Sequence, residues 1–160
     1  MRYLFATGGT AGHINPALAV ASYIRDTYPD SKILFVGTAD HMESRLVPNA
    51  GFDFKTIEIN GFKRSFSPKA VAANVKTVFK LLKSEQASKN IIKEFNPDVV
   101  IGFGGYVSGP VLEEAAKMHI PCCIHEQNAF PGITNKQLAK KVDKVMPVSY
   151  THLTLPTTSR

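Results

Sequence analysis

Apolar runs of strand length alternate with helical patterns through most of this chain, and this alternation limits the possible folds more than any other feature. The candidate strands are Tyr3–Ala6, Lys32–Val36, Phe54–Ile59, Val99–Gly102, Cys122–His125 and Lys144–Val148. The candidate helices are Pro16–Tyr28, Met42–Asn49, Pro68–Phe95 with one break, Pro110–Met118 and Thr134–Lys141. Several strands are apolar throughout, which is typical of strands buried on both faces of a parallel sheet. The pattern predicts an α/β domain with a doubly wound parallel sheet, whose ligands bind at the carboxyl ends of the strands.

The composition is that of an ordinary globular domain. The 160 residues are 44% hydrophobic and 20% charged, with a net charge of +6, which excludes disordered and low-complexity chains. No apolar run approaches the roughly 18–20 residues that span a bilayer, and the first residues lack the features of a secretory signal. Adjacent Cys122 and Cys123 fit neither a disulfide framework nor a CxxC pair, so we expect them to be buried in a protein of the reducing cytoplasm.

The first glycine-rich loop, Gly8-Gly9-Thr10-Ala11-Gly12-His13, lies between the first candidate strand and the first candidate helix. Glycines let the backbone approach a ligand closely, and a helix N-terminus offers free N–H groups to an anion. Two nucleotide-binding fingerprints fail here, because GxGxxG needs a glycine where Thr7 stands and a P-loop needs a lysine where His13 stands. The loop is suited to phosphate binding, with a simple tight turn as the structural alternative.

Two further loops of this kind follow later strands. The second, Gly102-Phe103-Gly104-Gly105-Tyr106-Val107-Ser108-Gly109-Pro110, has four glycines and a serine that could cap the next helix or donate to a phosphate. The third is His125-Glu126-Gln127-Asn128, followed by Gly132 and Asn135, and its side chains suit a sugar with several hydroxyls. A solvated surface loop is the alternative, and the spacing gives no support for a metal site.

The segments GGTAGH, GGYVSGP and HEQNAFPGITN resemble, in this order and at these separations, the N-terminal half of the bacterial MurG glycosyltransferases. The stretches 36–43 and 96–100 are similar to the same family, and the resemblance covers about residues 2–147. Members have a GT-B architecture, in which two Rossmann-like domains face each other across a cleft. The resemblance implies that residues 1–147 form the Rossmann-like, acceptor-binding N-terminal domain and that the C-terminal donor domain is missing.

The activity implied by this resemblance is an inverting N-acetylglucosaminyltransferase of peptidoglycan synthesis. Such an enzyme transfers GlcNAc from UDP-GlcNAc to undecaprenyl-pyrophosphoryl-MurNAc-pentapeptide (lipid I), which gives lipid II, and it needs no cofactor. Since only one wall of the cleft is encoded, we expect this chain to be inactive alone. The alternatives are another GT-B UDP-sugar transferase with a different acceptor, and an acceptor-binding subunit that recruits a separate donor domain.

Residue roles implied by the resemblance follow the three motifs. Thr10, Ala11 and Gly12 would reach the donor UDP-GlcNAc, although the family often has glycine where Ala11 stands. Asn128 would bind the GlcNAc hydroxyls. The residues that would lie against the acceptor diphosphate are Gly104, Gly105, Tyr106 and Ser108.

His13 resembles the family's proposed general base for the acceptor 4-hydroxyl. The positive end of the helix dipole favours the neutral imidazole that a base must be at pH 7. A histidine that merely caps its helix is the structural alternative. Glu126 is the second candidate base, or a residue that orients a substrate hydroxyl.

A basic, apolar segment spans Ile59 to Ser84, which contain no acidic residue. Its basic residues are Lys63, Arg64, Lys69, Lys76, Lys80 and Lys83, and its apolar residues at helical steps are Val71, Val75, Val78, Phe79 and Leu82. This pattern predicts peripheral contact with an anionic membrane, which for a lipid-linked acceptor would be the cytoplasmic face of the cell membrane. A core-facing helix with a solvated basic face is the alternative. No nucleic-acid-binding motif is present.

The last thirteen residues, 148–160, are rich in threonine, contain no acidic residue and do not resemble the family. We expect this tail to be foreign to the native protein and exclude it from the fold.

Overall fold

The computed structural model describes residues 1–59 and 68–148, with the backbone alone for residues 68–80. The strands in these residues are β1 (Arg2–Ala6), β2 (Lys32–Gly37), β3 (Asp53–Thr56), β4 (Val99–Gly102), β5 (Cys122–Glu126) and β6 (Lys144–Pro147). The helices are α1 (Ala11–Thr27), α2 (Glu43–Asn49), α3 (Pro68–Phe95), α4 (Ser108–Lys117) and α5 (Ile133–Leu138). The predicted alternation of strands and helices is confirmed.

All six strands form one parallel sheet in the order β3-β2-β1-β4-β5-β6. The chain builds the sheet outward from β1 to β3, and α3 then returns it to the other side of β1, where β4 to β6 follow. The predicted doubly wound α/β fold is therefore confirmed. The strand order reverses between β1 and β4, and ligands of such sheets bind at the carboxyl ends of the strands at this point.

Both faces of the sheet are buried because alternate residues of each central strand enter different cores. Phe5 and Phe35 stack at 4.9 Å on the face covered by α1 and α2. Their neighbours Leu4 and Leu34 lie in the core that α3, α4 and α5 cover. Burial on both faces explains why the central strands are apolar throughout.

Helices α1 and α4 begin before Pro16 and Pro110, the residues at which the sequence predicted their starts. Thr10 carbonyl oxygen accepts hydrogen bonds from the backbone N–H groups of His13 and Ile14 at 3.0 and 3.1 Å, so α1 starts at Ala11 rather than Pro16. Pro16 lies in the second turn, where it removes one helical hydrogen bond. Helix α4 starts at Ser108, which places Pro110 in its first turn, where a missing N–H costs nothing.

Helix α3, strand β3 and helix α5 also differ from the prediction, and α5 ends at Leu138 rather than Lys141. Helix α3 runs without a break from Pro68 to Phe95, so the predicted break is wrong. Strand β3 ends at Thr56, not Ile59, because its neighbour β2 ends at Gly37, the residue paired with Thr56. The side chains of most of the basic segment and the tail from residue 149 onward lie outside the described residues.

The two cysteines lie next to each other on β5 as thiols. Cys122 is buried and Cys123 is partly buried, close to the predicted burial. Burial raises the pKa of the Cys123 thiol to about 12, so this side chain stays protonated at neutral pH.

Candidate functional site

The three predicted loops meet at the carboxyl edge of the sheet because β1, β4 and β5 are neighbours there. They border a cavity of about 470 Å³, which we call the site cavity. Among its lining residues are His13, Gly104, Gly105, Tyr106, Glu126 and Asn128. Six of the residues singled out in the sequence, drawn from three separate motifs, are thus brought together at one opening. The volume is in the range of small-molecule sites.

His13 is the third residue of α1 and is partly buried at the wall of the cavity. Its Nδ1 shares a hydrogen bond of 3.0 Å with the hydroxyl of Thr10. Burial lowers the pKa of His13 below its ordinary value of 6.5, and this outweighs the opposing effects of the Glu126 charge, the hydrogen bond to Gly8 and the Glu43 charge. The imidazole is therefore mostly neutral at pH 7 and able to accept a proton.

The N-terminal end of α1 lies beside the cavity. Thr10 and Gly12 are exposed, Ala11 is partly exposed, and none of the three lines the site cavity. The first backbone N–H groups of a helix have no partner within the helix, so this end is open to an anion approaching from solvent.

The second loop is folded against the first by its two central glycines. Gly104 and Gly105 have φ of +97° and +80°. A Cβ atom on Gly104 would lie 2.6 Å from His13 Cδ2, and one on Gly105 would lie 2.4 Å from the Gly8 carbonyl oxygen. These positions require glycine for two reasons, the left-handed backbone and the close approach of the two loops.

Ser108 is fully buried beneath the second loop. Its Oγ accepts a hydrogen bond of 3.0 Å from the Gly104 N–H, and its hydroxyl hydrogen is within reach of the carbonyl oxygens of Gly104 and Ala6, at 2.9 and 3.0 Å. The side chain therefore ties the loop to the end of β1. In this arrangement its hydroxyl does not face the cavity, whereas exposed Tyr106 lines it.

Glu126 organises the third loop. Its carboxylate is buried and accepts four hydrogen bonds. Asn128 donates its backbone N–H and its side-chain amide to Oε1, both at 2.9 Å. The Gly132 N–H and the Asn135 amide donate to Oε2 at 3.2 and 2.8 Å. Because a carboxylate has about four lone-pair positions, this geometry favours a role in holding the loop over proton transfer.

Two further residues contribute to this region, namely Asn135, which the sequence places with the third loop, and Glu43, to which the sequence assigned no individual role. Asn135 is buried and lines the cavity, and within the described part of the chain its Oδ1 has no hydrogen-bond donor. Glu43 is fully buried behind the first loop, where it accepts a hydrogen bond of 3.0 Å from the Gly9 N–H. An acidic residue in the first turn of a helix is ordinarily exposed, so no local pattern indicated that Glu43 would be buried.

The described residues contain no cluster of three His, Cys, Asp or Glu side chains that could hold a metal ion. None of the helices in the same residues is long and apolar enough to cross a bilayer.

Sequence comparison finds close relatives of this chain. The chain is 54% identical over 146 residues to the UDP-N-acetylglucosamine–N-acetylmuramyl-(pentapeptide) pyrophosphoryl-undecaprenol N-acetylglucosamine transferase of Clostridioides difficile. It is 51% identical over 145 residues to the protein of the same name from Lactococcus lactis. Each match covers 91% of this chain, but the chain spans only 35% and 40% of the length of these two relatives.

Solved structures share the fold. The crystal structure of MurG from Acinetobacter baumannii matches with a TM-score of 0.80 at 30% identity, over 99% of this chain and 44% of that chain. The UDP-GlcNAc 2-epimerase of Neisseria meningitidis matches with a TM-score of 0.58 at 15% identity, over 89% of this chain and 39% of the epimerase, which shows a common fold alone. Residues 3–147 match the family model described as the N-terminal domain of glycosyltransferase family 28. Since this match covers most of the sequence, the chain belongs to glycosyltransferase family 28 and carries the N-terminal domain of that family.

Proposed function

We propose that this chain is the acceptor-binding part of an inverting, UDP-GlcNAc-dependent N-acetylglucosaminyltransferase of peptidoglycan synthesis. The complete enzyme transfers GlcNAc from UDP-GlcNAc to the undecaprenyl-pyrophosphoryl-linked MurNAc-pentapeptide, lipid I, and produces lipid II. The names of relatives at 51–54% identity support this choice of substrates over other UDP-sugar transfers.

The observation that carries the proposal is the site cavity, where a mostly neutral histidine at the end of the first glycine-rich loop lies beside the second glycine-rich loop and the polar third loop. A transferase that couples a sugar hydroxyl to a nucleotide sugar needs a base for the hydroxyl and backbone donors for phosphate. His13 supplies the first, and the loop Gly104-Gly105-Tyr106 lies beside it for the acceptor diphosphate.

In the proposed reaction, His13 takes the proton from the acceptor 4-hydroxyl as its oxygen attacks the anomeric carbon of GlcNAc. The bond from that carbon to the UDP oxygen breaks, UDP leaves with the bonding electron pair, and the configuration is inverted. Thr10, Ala11 and Gly12, at the open end of α1, approach the donor, and the Asn128 side chain binds the GlcNAc hydroxyls. Glu126 and Ser108 take part by holding their loops in shape.

We further propose that the enzyme works at the cytoplasmic face of the cell membrane as a peripheral protein. The acceptor is lipid-linked, and Tyr106 and Ile133, which line the cavity, are more than half exposed. Leu82 and Phe130 are also more than half exposed, and each lies within two residues in the sequence of one that lines the cavity. Lys136 and Lys140 follow Ile133 on the same stretch of chain, and lysines beside exposed apolar residues favour contact with anionic lipid.

The test uses a hybrid enzyme, in which residues 3–147 of this chain replace the matching region of the Clostridioides difficile relative. Transfer of labelled GlcNAc from UDP-GlcNAc to a lipid I analogue is measured for the hybrid and for its His13→Ala variant. We expect kcat to fall by about 10²–10⁴-fold in the variant, the usual contribution of general-base catalysis, with a small change in the acceptor KM.

His41→Ala is the matched control, because His41 is an exposed histidine that does not line the site cavity. A hybrid that folds but transfers no GlcNAc would contradict the proposed function. An unchanged kcat with a raised acceptor KM in the His13 variant would instead make His13 a binding residue.

A further inference from the structure

Glu43, the first residue of α2, is a fully buried carboxylate that does not line the site cavity. Burying a carboxylate is costly unless its oxygens accept hydrogen bonds, so the partners of Glu43 indicate what its burial achieves. They lie on two different loops at the carboxyl edge of the sheet.

One oxygen of Glu43 holds the end of β2. Oε1 accepts hydrogen bonds from the Thr38 backbone N–H at 3.1 Å and from the Thr38 hydroxyl at 2.7 Å. The other oxygen holds the end of β1, because Oε2 accepts from the Gly9 N–H at 3.0 Å. The side chain therefore connects the loop after β2 to the first glycine-rich loop. Gly9 and Glu43 are 34 positions apart in the chain.

Two neighbouring glycines, Gly8 and Gly37, leave the space that the Glu43 side chain occupies. A Cβ atom on Gly8 would lie 2.6 Å from Glu43 Oε1, and one on Gly37 would lie 2.5 Å from Glu43 Cγ. Real Cβ atoms do not approach this closely, so Gly8 must be glycine while Glu43 is in place. Gly37 must be glycine because Glu43 and the Phe54 ring, 2.7 Å from the same Cβ position, both occupy that space. Gly9 itself has φ of +92°, and the hydrogen bond to Glu43 holds this left-handed residue at the point where the chain turns into α1.

We propose that Glu43 is a positioning residue for the transfer reaction. Its hydrogen bond from the Gly9 N–H fixes the loop that places His13 and the N-terminal end of α1 at the site. This role rests on the proposed function. Glu43 acts through Gly8 and Gly9 and does not touch the substrates. A small displacement of a reacting group by a change outside the site can cost about 10²-fold in rate, which sets the size of the expected effect.

The experiment compares Glu43→Gln with Thr38→Val in the hybrid enzyme. Glutamine keeps the shape of Glu43, but only one of its two terminal atoms accepts hydrogen bonds. Because Thr38 offers two donors and Gly9 only one, we expect the glutamine oxygen to face Thr38, so that Gly9 loses its acceptor. Valine removes the hydroxyl of Thr38 and leaves the bond between Gly9 and Glu43 in place. Both changes remove a buried hydrogen bond, so the control accounts for a general loss of stability.

Three measurements separate positioning from stability alone. We expect Glu43→Gln to lower kcat by about 10- to 100-fold well below its melting temperature, whereas Thr38→Val lowers it less than about threefold. We expect faster hydrogen exchange of the Gly9 amide in the glutamine variant of the 160-residue chain alone. We also expect the acid limb of kcat/KM to move to lower pH in that variant, because the Glu43 charge raises the pKa of His13.

The outcomes distinguish this role from the proposed function. An active hybrid whose glutamine variant keeps kcat, or loses it only as much as Thr38→Val, would overturn the positioning role and leave the proposed function intact. Unchanged exchange at Gly9 would also overturn it. A wild-type hybrid that folds but does not transfer GlcNAc would refute the proposed function and with it a role in transfer.

Discussion

At the residue scale, the surroundings of His13 decide its chemistry. The sequence indicated a neutral imidazole because of the helix dipole, whereas in the structure burial is the largest cause of its lowered pKa. The negative charges of Glu126 and Glu43 act in the opposite direction and limit the shift. The protonation state of His13 therefore depends on burial, which lowers its pKa, and on the charges of one residue in α2 and one in β5, which raise it.

The pH dependence of the hybrid enzyme should report this balance. Since the pKa of His13 is lowered from 6.5, we expect the acid limb of kcat/KM to have its midpoint below pH 6.5. The base is neutral above that midpoint and protonated below it, so activity is lost as the pH falls. A pH–rate profile checks this, and a midpoint at or above 6.5 would contradict the lowered pKa or the role of His13 as the base.

Glycines of the first two loops allow a second prediction at this scale. Gly105→Ala introduces both an alanine at φ of +80° and a Cβ atom 2.4 Å from the Gly8 carbonyl oxygen. Gly9→Ala introduces only an unfavourable backbone conformation, since Gly9 has φ of +92° and its Cβ position has no heavy atom within 4 Å. We expect Gly9→Ala to lower the free energy of unfolding by about 1–2 kcal/mol and Gly105→Ala to lower it by clearly more.

Urea unfolding of the 160-residue chain and its two variants measures this difference. The additional loss of unfolding free energy in the Gly105 variant, compared with the Gly9 variant, measures the cost of disturbing the contact between the two loops. Equal losses in the two variants would mean that the second loop moves away from Gly8 without cost.

At the scale of elements, the three strands β1, β4 and β5 each end in a loop whose shape is held by one buried polar side chain. Glu43 holds the loop after β1, Ser108 the loop after β4, and Glu126 the loop after β5. Exposed residues of the second and third loops, Tyr106 and Asn128, thereby remain available to line the cavity. Helix α3 passes beside the same cavity, where Leu81 lines it.

The basic segment, Ile59–Ser84, includes the first part of α3. It carries the membrane prediction, which none of the described contacts tests. We expect the chain to bind vesicles containing anionic lipid and to be released by added salt, because such attraction is screened within about 8–10 Å at physiological ionic strength. Lys76→Glu with Lys80→Glu should weaken co-sedimentation strongly.

A control with the same change in charge is available at the amino ends of the strands, on the side of the sheet opposite to the site cavity. Lys32 and Lys144 are exposed and begin β2 and β6, so Lys32→Glu with Lys144→Glu should weaken binding much less. Equal losses in both double variants would assign binding to net charge alone. Equal binding to neutral and anionic vesicles would remove the electrostatic contribution.

At the scale of the whole molecule, this chain forms one wall of the proposed active site. It spans 35–40% of the length of its transferase relatives. Holding the donor carbon in line with the acceptor hydroxyl can account for roughly 7–11 kcal/mol of the barrier, and this positioning needs both walls of the cleft.

We therefore expect no GlcNAc transfer by the 160-residue chain alone, although it folds and retains weak affinity for the lipid-linked acceptor. The assay supplies labelled UDP-GlcNAc and a lipid I analogue, with and without the separately expressed C-terminal part of the Clostridioides difficile relative. Transfer by the chain alone would show that these residues contain a complete donor site.

The sequence by itself determined the fold class and the three loops, because apolar runs, glycines and prolines act through contacts with near neighbours along the chain. Strand positions were correct to within a few residues, and every loop singled out lies at the site. Tertiary structure alone decided what holds these loops. Ser108 bonds to Ala6 across 102 positions and Glu43 to Gly9 across 34, so no local pattern could distinguish these buried side chains from residues facing the substrate. Glu126 is a different case, because its four donors come from residues within nine positions of it. Its charge and position are typical of a catalytic base, and its structural role became evident only from its burial and from the folding of the third loop around its carboxylate.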